Sequence, residues 1–313
     1  MDPCPHIKAK GAPEKTSVYE HSDLVNLVIH KLAKHLKFDV KTASIGAGLH
    51  DIGKTSSTFQ KRLASASCKR QPAFRHGIAS CLFLSLVDEA LHPPLIEMII
   101  AHHKSIKKDH GEKGILDLEE NVKNTFKDHS QGWDNWSRDA LKILEAFGIP
   151  PKKISLDDAW DTYQQVVNFC SSKSRETGYS AWRGLLMAAD HFASALASAT
   201  PDYLDKTFIP PVLDFYNRTS ELYPLSLQAA DSKKPHTLVV ACTGAGKTDY
   251  LFRRCRGRVF YTLPFQASIN AMYNRVKSDL KASNPDLDIR LLHAASRFSV
   301  LDESREEVLL QRL

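Results

Sequence analysis

The chain has 313 residues, 42% hydrophobic and 25% charged, with 42 Lys and Arg against 36 Asp and Glu for a net charge of +6. That balance excludes wholesale disorder and leaves room for about two domains, while the small positive excess permits a polyanionic partner without demanding one. The longest apolar stretches, 81–84 and 95–101, fall far short of the ~20 residues of a membrane helix, and no secretory signal pattern opens the sequence, so a cytoplasmic protein with no membrane association is expected.

Leu24, Val25, Val28, Leu32 and Leu36 recur at three- and four-residue steps and predict an amphipathic helix over 21–36. Shorter helical patterns follow at 41–49, 77–91 and 95–103, with Pro93-Pro94 as a stop and restart between the last two. The variable tract 104–180 reads as an insertion of helices on the same helical domain, and 182–199 as a helix rich in small residues. The texture changes after Thr200, where Pro201, Pro210-Pro211 and Pro224 punctuate a connecting segment. Beyond it, 237–240, 258–262 and 289–292 are strand candidates, alternating with a glycine-rich loop and helix and with a helix over 266–280. Such alternation predicts a parallel α/β segment. Six cysteines with neither C-x-x-C pairing nor regular spacing fit reduced thiols rather than a disulfide framework.

His21, His50, Asp51, His76, His102, His103 and Asp190 form the main chemical signal. Imidazole and carboxylate hold borderline transition metals, and a shared carboxylate bridges two of them. His50-Asp51 ends a helical pattern, which lets both side chains enter one cavity. Asp190 shares a helix face with Leu186, Ala193 and Ala197, hence with the core, where a carboxylate wants a cation. His102 and His103 lie about 100° apart on a helix. His30 and His35 sit on a helix whose core stripe is filled by aliphatics, His92 precedes a proline, His110 and His129 fall in polar tracts, and His191 neighbours Asp190 but turns away on its helix; none is assigned a ligand role.

Leu49-His50-Asp51-Ile52-Gly53-Lys54, Arg75-His76-Gly77-Ile78-Ala79-Ser80, Ala101-His102-His103 and Ala189-Asp190-His191-Phe192-Ala193-Ser194 resemble the HD phosphohydrolase superfamily and, more narrowly, the HD nuclease domain of the Cas3 family of CRISPR-associated nuclease-helicases. The lead-in Ile7-Lys8-Ala9-Lys10 before His21 is similar too. The resemblance implies a binuclear site in which His21, His50, Asp51 and Asp190 hold one metal and Asp51, His76, His102 and His103 the other, with Lys54 beside a scissile phosphate.

Ala241-Cys242-Thr243-Gly244-Ala245-Gly246-Lys247-Thr248 fits a phosphate-binding loop in which Ala241 replaces the first glycine, a form that matches superfamily 2 helicases. In it Thr243, Gly244, Ala245 and Gly246 wrap phosphates, Lys247 reaches their outer oxygens and Thr248 ligates Mg²⁺. Gln228 resembles the adenine-recognising Q motif, and 263–275 and 291–293 resemble strand-contacting helicase motifs. Asp88-Glu89-Ala90-Leu91-His92 imitates a DEAH box but precedes the loop within a helical pattern and reads as solvated surface.

The expected fold is therefore mainly α: a helical HD domain over 1–205, a linker with the candidate Q motif over 206–235, and a truncated α/β RecA-like helicase segment over 236–313. The expected activity is metal-dependent cleavage of single-stranded DNA with Mn²⁺, Fe²⁺, Co²⁺ or Ni²⁺. ATP and Mg²⁺ would serve the helicase lobe of a longer relative, and no ATP-driven unwinding is expected from this segment alone. The resemblance adds the CRISPR surveillance complex Cascade as partner, and a monomer is expected. Two alternatives stay open: an HD-type nucleotide phosphohydrolase, and a non-catalytic DNA-binding module.

Overall fold

The computed structural model describes residues 1–11, 14–64, 74–102, 122–173, 180–217, 219, 221–257, 259–287 and 289–291. The chain divides into two compact units, 1–201 and 202–313.

The first unit is helical among its described residues. Helix α1 (Val18–Leu36) starts at a reciprocal cap: Glu20 N donates to Ser17 Oγ at 3.0 Å, and Ser17 N donates to the Glu20 carboxylate at 2.8 Å. Its buried face runs through Val18, His21, Ser22, Val25, Val28, Ile29 and Ala33, while Leu36 is 52% exposed. The stripe expected through Leu24, Leu32 and Leu36 is thus rotated. Two polar residues, His21 and Ser22, occupy the inward face, and an apolar pattern cannot register them.

Asp39 caps α2 (Val40–Leu49) by accepting from Thr42 N at 2.7 Å. A 3-10 turn (Ile52–Thr55) and α3 (Ser57–Ala64) follow. The helix expected over 77–91 breaks into α4 (His76–Cys81) and two 3-10 turns, Leu84–Leu86 and Glu89–Leu91. The cause lies in Cys81, Leu82, Phe83 and Leu84: all are fully buried, so no single helix face could serve them. Pro93 and Pro94 fall in the first turn of α5 (His92–Ala101), where a missing N–H costs nothing. The tract after residue 121 supplies α6 (Val122–Ser130), α7 (Trp133–Ala146) and α8 (Leu156–Lys173). Helix α9 (Ala181–Leu196) ends three residues early, as Ala197 turns to φ 47°, and α10 (Thr200–Leu204) spans the unit boundary.

Helix α1 packs on α2 and α9, and α5 packs on α2, α4 and α9. The short α4 is wedged between the turn after α2 and helix α5. A Cβ at Gly53 would collide with the carbonyl oxygen of His76 and lie 2.7 Å from Ser80 N, and one at Gly77 would lie 2.8 Å from the Ile99 oxygen. Two glycines therefore let backbone touch backbone on both sides of α4.

The second unit holds α11 (Lys247–Arg254) and α12 (Gln266–Leu280) over a small core of Tyr216, Phe252 and Leu280. The strands expected over 237–240, 258–262 and 289–292 are not formed among the described residues, and this corrects the α/β reading. A strand exists by its ladder to a neighbour. Among the described residues of these segments no ladder forms, and Leu238 and Val240 are 90% and 88% exposed. Arg258 and residues 292–313, including His293, lie outside the described residues. No helix among the described residues is long and apolar enough to cross a membrane.

Gly53→Ala is expected to lower unfolding stability by about 1–3 kcal/mol, because the methyl must displace the α4 backbone rather than a flexible side chain. Denaturant titration checks this, and an unchanged midpoint would contradict the close approach.

Candidate metal centre

His21 lies on α1, His50 closes α2, Asp51 opens the 3-10 turn, His76 opens α4, His102 closes α5, and Asp190 lies on α9. All six are buried except His76, which is half-buried. The Asp51 carboxylate is their common point. Its Oδ2 lies 3.3 Å from His21 Nε2, 3.4 Å from His50 Nε2 and 2.6 Å from Lys54 Nζ. Its Oδ1 lies 3.1 Å from His76 Nε2 and 3.8 Å from His102 Nε2. Two ligand sets result, His21/His50/Asp51 and Asp51/His76/His102, each with donor atoms within 4.8 Å of one another. Asp190 joins the first set through His21 Nε2, at 3.1 Å, and also accepts from Ser194 Oγ at 3.2 Å. His103 lies outside the described residues.

The imidazoles are presented in a state suited to a cation. His50 Nδ1 donates to the Ala47 carbonyl at 2.7 Å, and His102 Nδ1 donates to the Ile99 carbonyl. Since a carbonyl only accepts, both rings carry their proton on Nδ1 and turn an Nε2 lone pair toward Asp51. His50 Nε2 and Asp51 Oδ1 are buried, yet neither makes a hydrogen bond of regular geometry among the described residues. Leaving such atoms unmet costs about 1–3 kcal/mol each. A cation between them removes that cost, so the residues present fit a metal.

Charge placement agrees. Burial pushes the Asp51 carboxyl up, but the Lys54 ammonium and the contacts with His50 and His102 outweigh it and hold the group well below its ordinary value. Burial also acts against the Asp190 carboxylate, and the hydrogen bond from His21 more than reverses that. Burial pushes the His76 imidazole down to about 3, so it stays neutral and available as a ligand. For His50, burial opposes protonation and the Asp51 carboxylate overrides it, raising the imidazole.

The remaining histidines behave differently. His30, His35 and His191 are exposed, and His92 Nε2 donates to the Leu84 carbonyl at 2.9 Å. Asp88 and Glu89 are exposed as expected of solvated surface. His129 is buried in spite of its polar sequence surroundings: Nδ1 donates to Thr125 O at 2.7 Å and Nε2 accepts from Arg75 N at 2.9 Å. It thus fixes the residue before His76. Sequence reasoning also passed over Ser80, although its place four residues after His76 puts both on one face of α4.

In the second unit Gly244 and Gly246 take φ +83° and +85°, and α11 begins at Lys247. Lys247 Nζ donates to the carbonyls of Ala241 at 2.9 Å and Cys242 at 2.7 Å, so the lysine folds back over its own loop. Thr243 is exposed, Ala245 buried and Thr248 half-buried. Leu225 N donates to Ala245 O at 3.0 Å, and Arg253 donates to the carbonyls of Leu225 and Gln228. The exposed Gln228 is thereby held near the loop.

The HD domain family matches residues 18–147. The chain is also 23% identical over 317 aligned residues, covering 82% of its length, to the CRISPR-associated endonuclease/helicase Cas3 of Escherichia coli (strain K12). The chain thus carries an HD-domain match and is similar to a Cas3 protein. It spans 35% of that relative, about a third. No solved structure gives a significant match to the chain. Asp51, which lies within the matched residues, is the residue the two ligand sets share. The HD domain and the Cas3 likeness together support a hydrolase of the phosphohydrolase or nuclease kind.

Burial lowers the His129 imidazole. The unfolded chain takes up this proton near pH 6.5 and the folded chain only at lower pH, so stability is full above about 6.5 and falls as the pH drops below it. In metal-free protein, His129→Gln, which keeps an acceptor without titrating, should lose less Tm than the parent between about pH 7 and pH 5. Equal losses would show that His129 is not held neutral by the fold.

Proposed function

We propose that this protein is a metal-dependent deoxyribonuclease that cuts single-stranded DNA in CRISPR interference. The observation that carries the reading is the Asp51 carboxylate, whose two oxygens each face a separate pair of imidazoles. Two divalent metals of the Mn²⁺, Fe²⁺, Co²⁺ or Ni²⁺ kind would supply Lewis acidity and bring water close to deprotonation at neutral pH. His21, His50, Asp51 and Asp190 would hold one of them, and Asp51, His76, His102 and His103 the other.

Lys54 is the cation through which this chain meets the substrate. Its ammonium lies 2.6 Å from Asp51 Oδ2 and within 5.8 Å of the Phe59 ring centre, and it is largely but not wholly buried. From there it would neutralise a phosphodiester oxygen as the DNA backbone enters. The low exposure of the surrounding imidazoles keeps bulk water from competing with the bound phosphate. His50 and His102, locked by their Nδ1 bonds, keep their donor atoms in place while charge shifts on the phosphate.

The domain limits 1–205, 206–235 and 236–313 belong to the same proposal, the last as the start of a helicase segment in a longer relative, although its described residues form no strands. Thr243, Gly244, Ala245, Gly246, Lys247 and Thr248 would take the phosphates of ATP with Mg²⁺, and Gln228 the adenine. Two positive-φ glycines leading into α11 support that assignment. Cascade is the proposed protein partner, the cytoplasm the compartment and a monomer the working form.

Purified protein with Mn²⁺, Co²⁺ or Ni²⁺ should degrade circular single-stranded DNA, and the double substitution His50→Ala with Asp51→Ala should abolish cleavage. A double variant that cuts as fast as the parent would refute the site. Deoxynucleotides hydrolysed faster than DNA would replace the proposal with a nucleotide phosphohydrolase.

A further inference from the structure

Ser80 is completely buried on α4, one turn beyond His76. Its hydroxyl donates to the His50 carbonyl at 2.8 Å and accepts from Gly53 N at 2.8 Å. Those two backbone groups flank Asp51, so the hydroxyl closes a loop around the residue on which both ligand sets converge. Asp51 itself has left helical geometry, at φ −107° and ψ 2°, and its side chain makes no capping hydrogen bond to steady the turn. The direction of its carboxylate follows from how the turn is held, and Ser80 ties the His50–Asp51 peptide before it and the Ile52–Gly53 peptide just beyond it to α4. The same α4 begins with His76, whose Nε2 lies 3.1 Å from Asp51 Oδ1.

We infer that Ser80 is a positioning residue that couples the two halves of the metal centre, fixing Asp51 and His50 relative to His76 through one hydroxyl. Packing alone does not call for it. Close approach of the turn to α4 is already secured by Gly53, and an alanine methyl at residue 80 would fit the same space. What the hydroxyl adds is direction: it takes the proton of one peptide unit and gives its own to another, fixing the tilt of the turn and hence the aim of both carboxylate oxygens. Partners behind metal ligands commonly carry a 10–100-fold share of metal affinity.

This inference rests on the proposed binuclear site. Titration of metal-free protein with Mn²⁺, followed by calorimetry well below the melting temperature, tests it without any assay of activity. The parent is expected to bind two ions. Ser80→Ala should bind them about 10–100-fold more weakly, in both steps because Asp51 is shared. Ser80→Cys, which keeps a donor and acceptor in place but is a bulkier and poorer hydrogen-bonding partner, should fall between the two, and it serves if the alanine variant does not fold. A lower melting temperature with an unchanged isotherm in the variants would overturn the coupling role and leave Ser80 as a packing residue. A parent that binds no ion would instead overturn the binuclear site itself, and this inference with it.

Discussion

A carboxylate buried among helices is tolerable only where positive charge or hydrogen-bond donors reach it. Asp51 is 1% exposed, and everything around it answers that constraint. Lys54 meets one oxygen directly, and four imidazole nitrogens approach the two oxygens from opposite sides. Asp190 adds a second carboxylate against the single Lys54 ammonium. The remaining negative charge is met by a proton shared among the imidazoles or by a cation. Which of these wins depends on pH, because neutral imidazole is the metal-binding form. His76, kept neutral by burial, favours the metal, whereas His50, raised by Asp51, favours the proton.

The fold serves this arrangement by bringing short segments from distant parts of the chain to one point. Two of the contributing helices end at a ligand rather than at a solvent-facing cap: α2 ends at His50 and α5 at His102, each with its ring bonded back to a carbonyl of its own last turn. Ligand orientation and helix termination are therefore the same event. The α4 wedge, seated against Gly53 and Gly77, carries the second half of the centre into contact with the first. His129 and Ser80 act behind it, one on the backbone before His76 and the other on the turn that holds Asp51.

Much of this is legible in the sequence, and the reasons for the exceptions are physical. Helix positions follow from period and proline placement, and α12 falls over 266–280 as expected. Residue type and spacing single out the histidines and aspartates, because few side chains suit transition metals. The inward face of α1 is misread because its ligand and serine are polar. The break after Cys81 is missed because a run buried on all sides carries no period. Ser80 and His129 stay hidden since hydroxyls and imidazoles in such places are common, and only three-dimensional contact gives them a role. The strands expected after His236 illustrate the opposite limit: β-branched composition marks a tendency, but pairing needs a neighbour that local sequence does not supply.

The direct test of the shared carboxylate is the position of the metals themselves. Crystals grown with Mn²⁺ and measured at an anomalous wavelength should show two peaks about 3.5–4 Å apart, one against each oxygen of Asp51. A single peak confined to one histidine pair, or peaks remote from Asp51, would contradict a binuclear centre built on this residue.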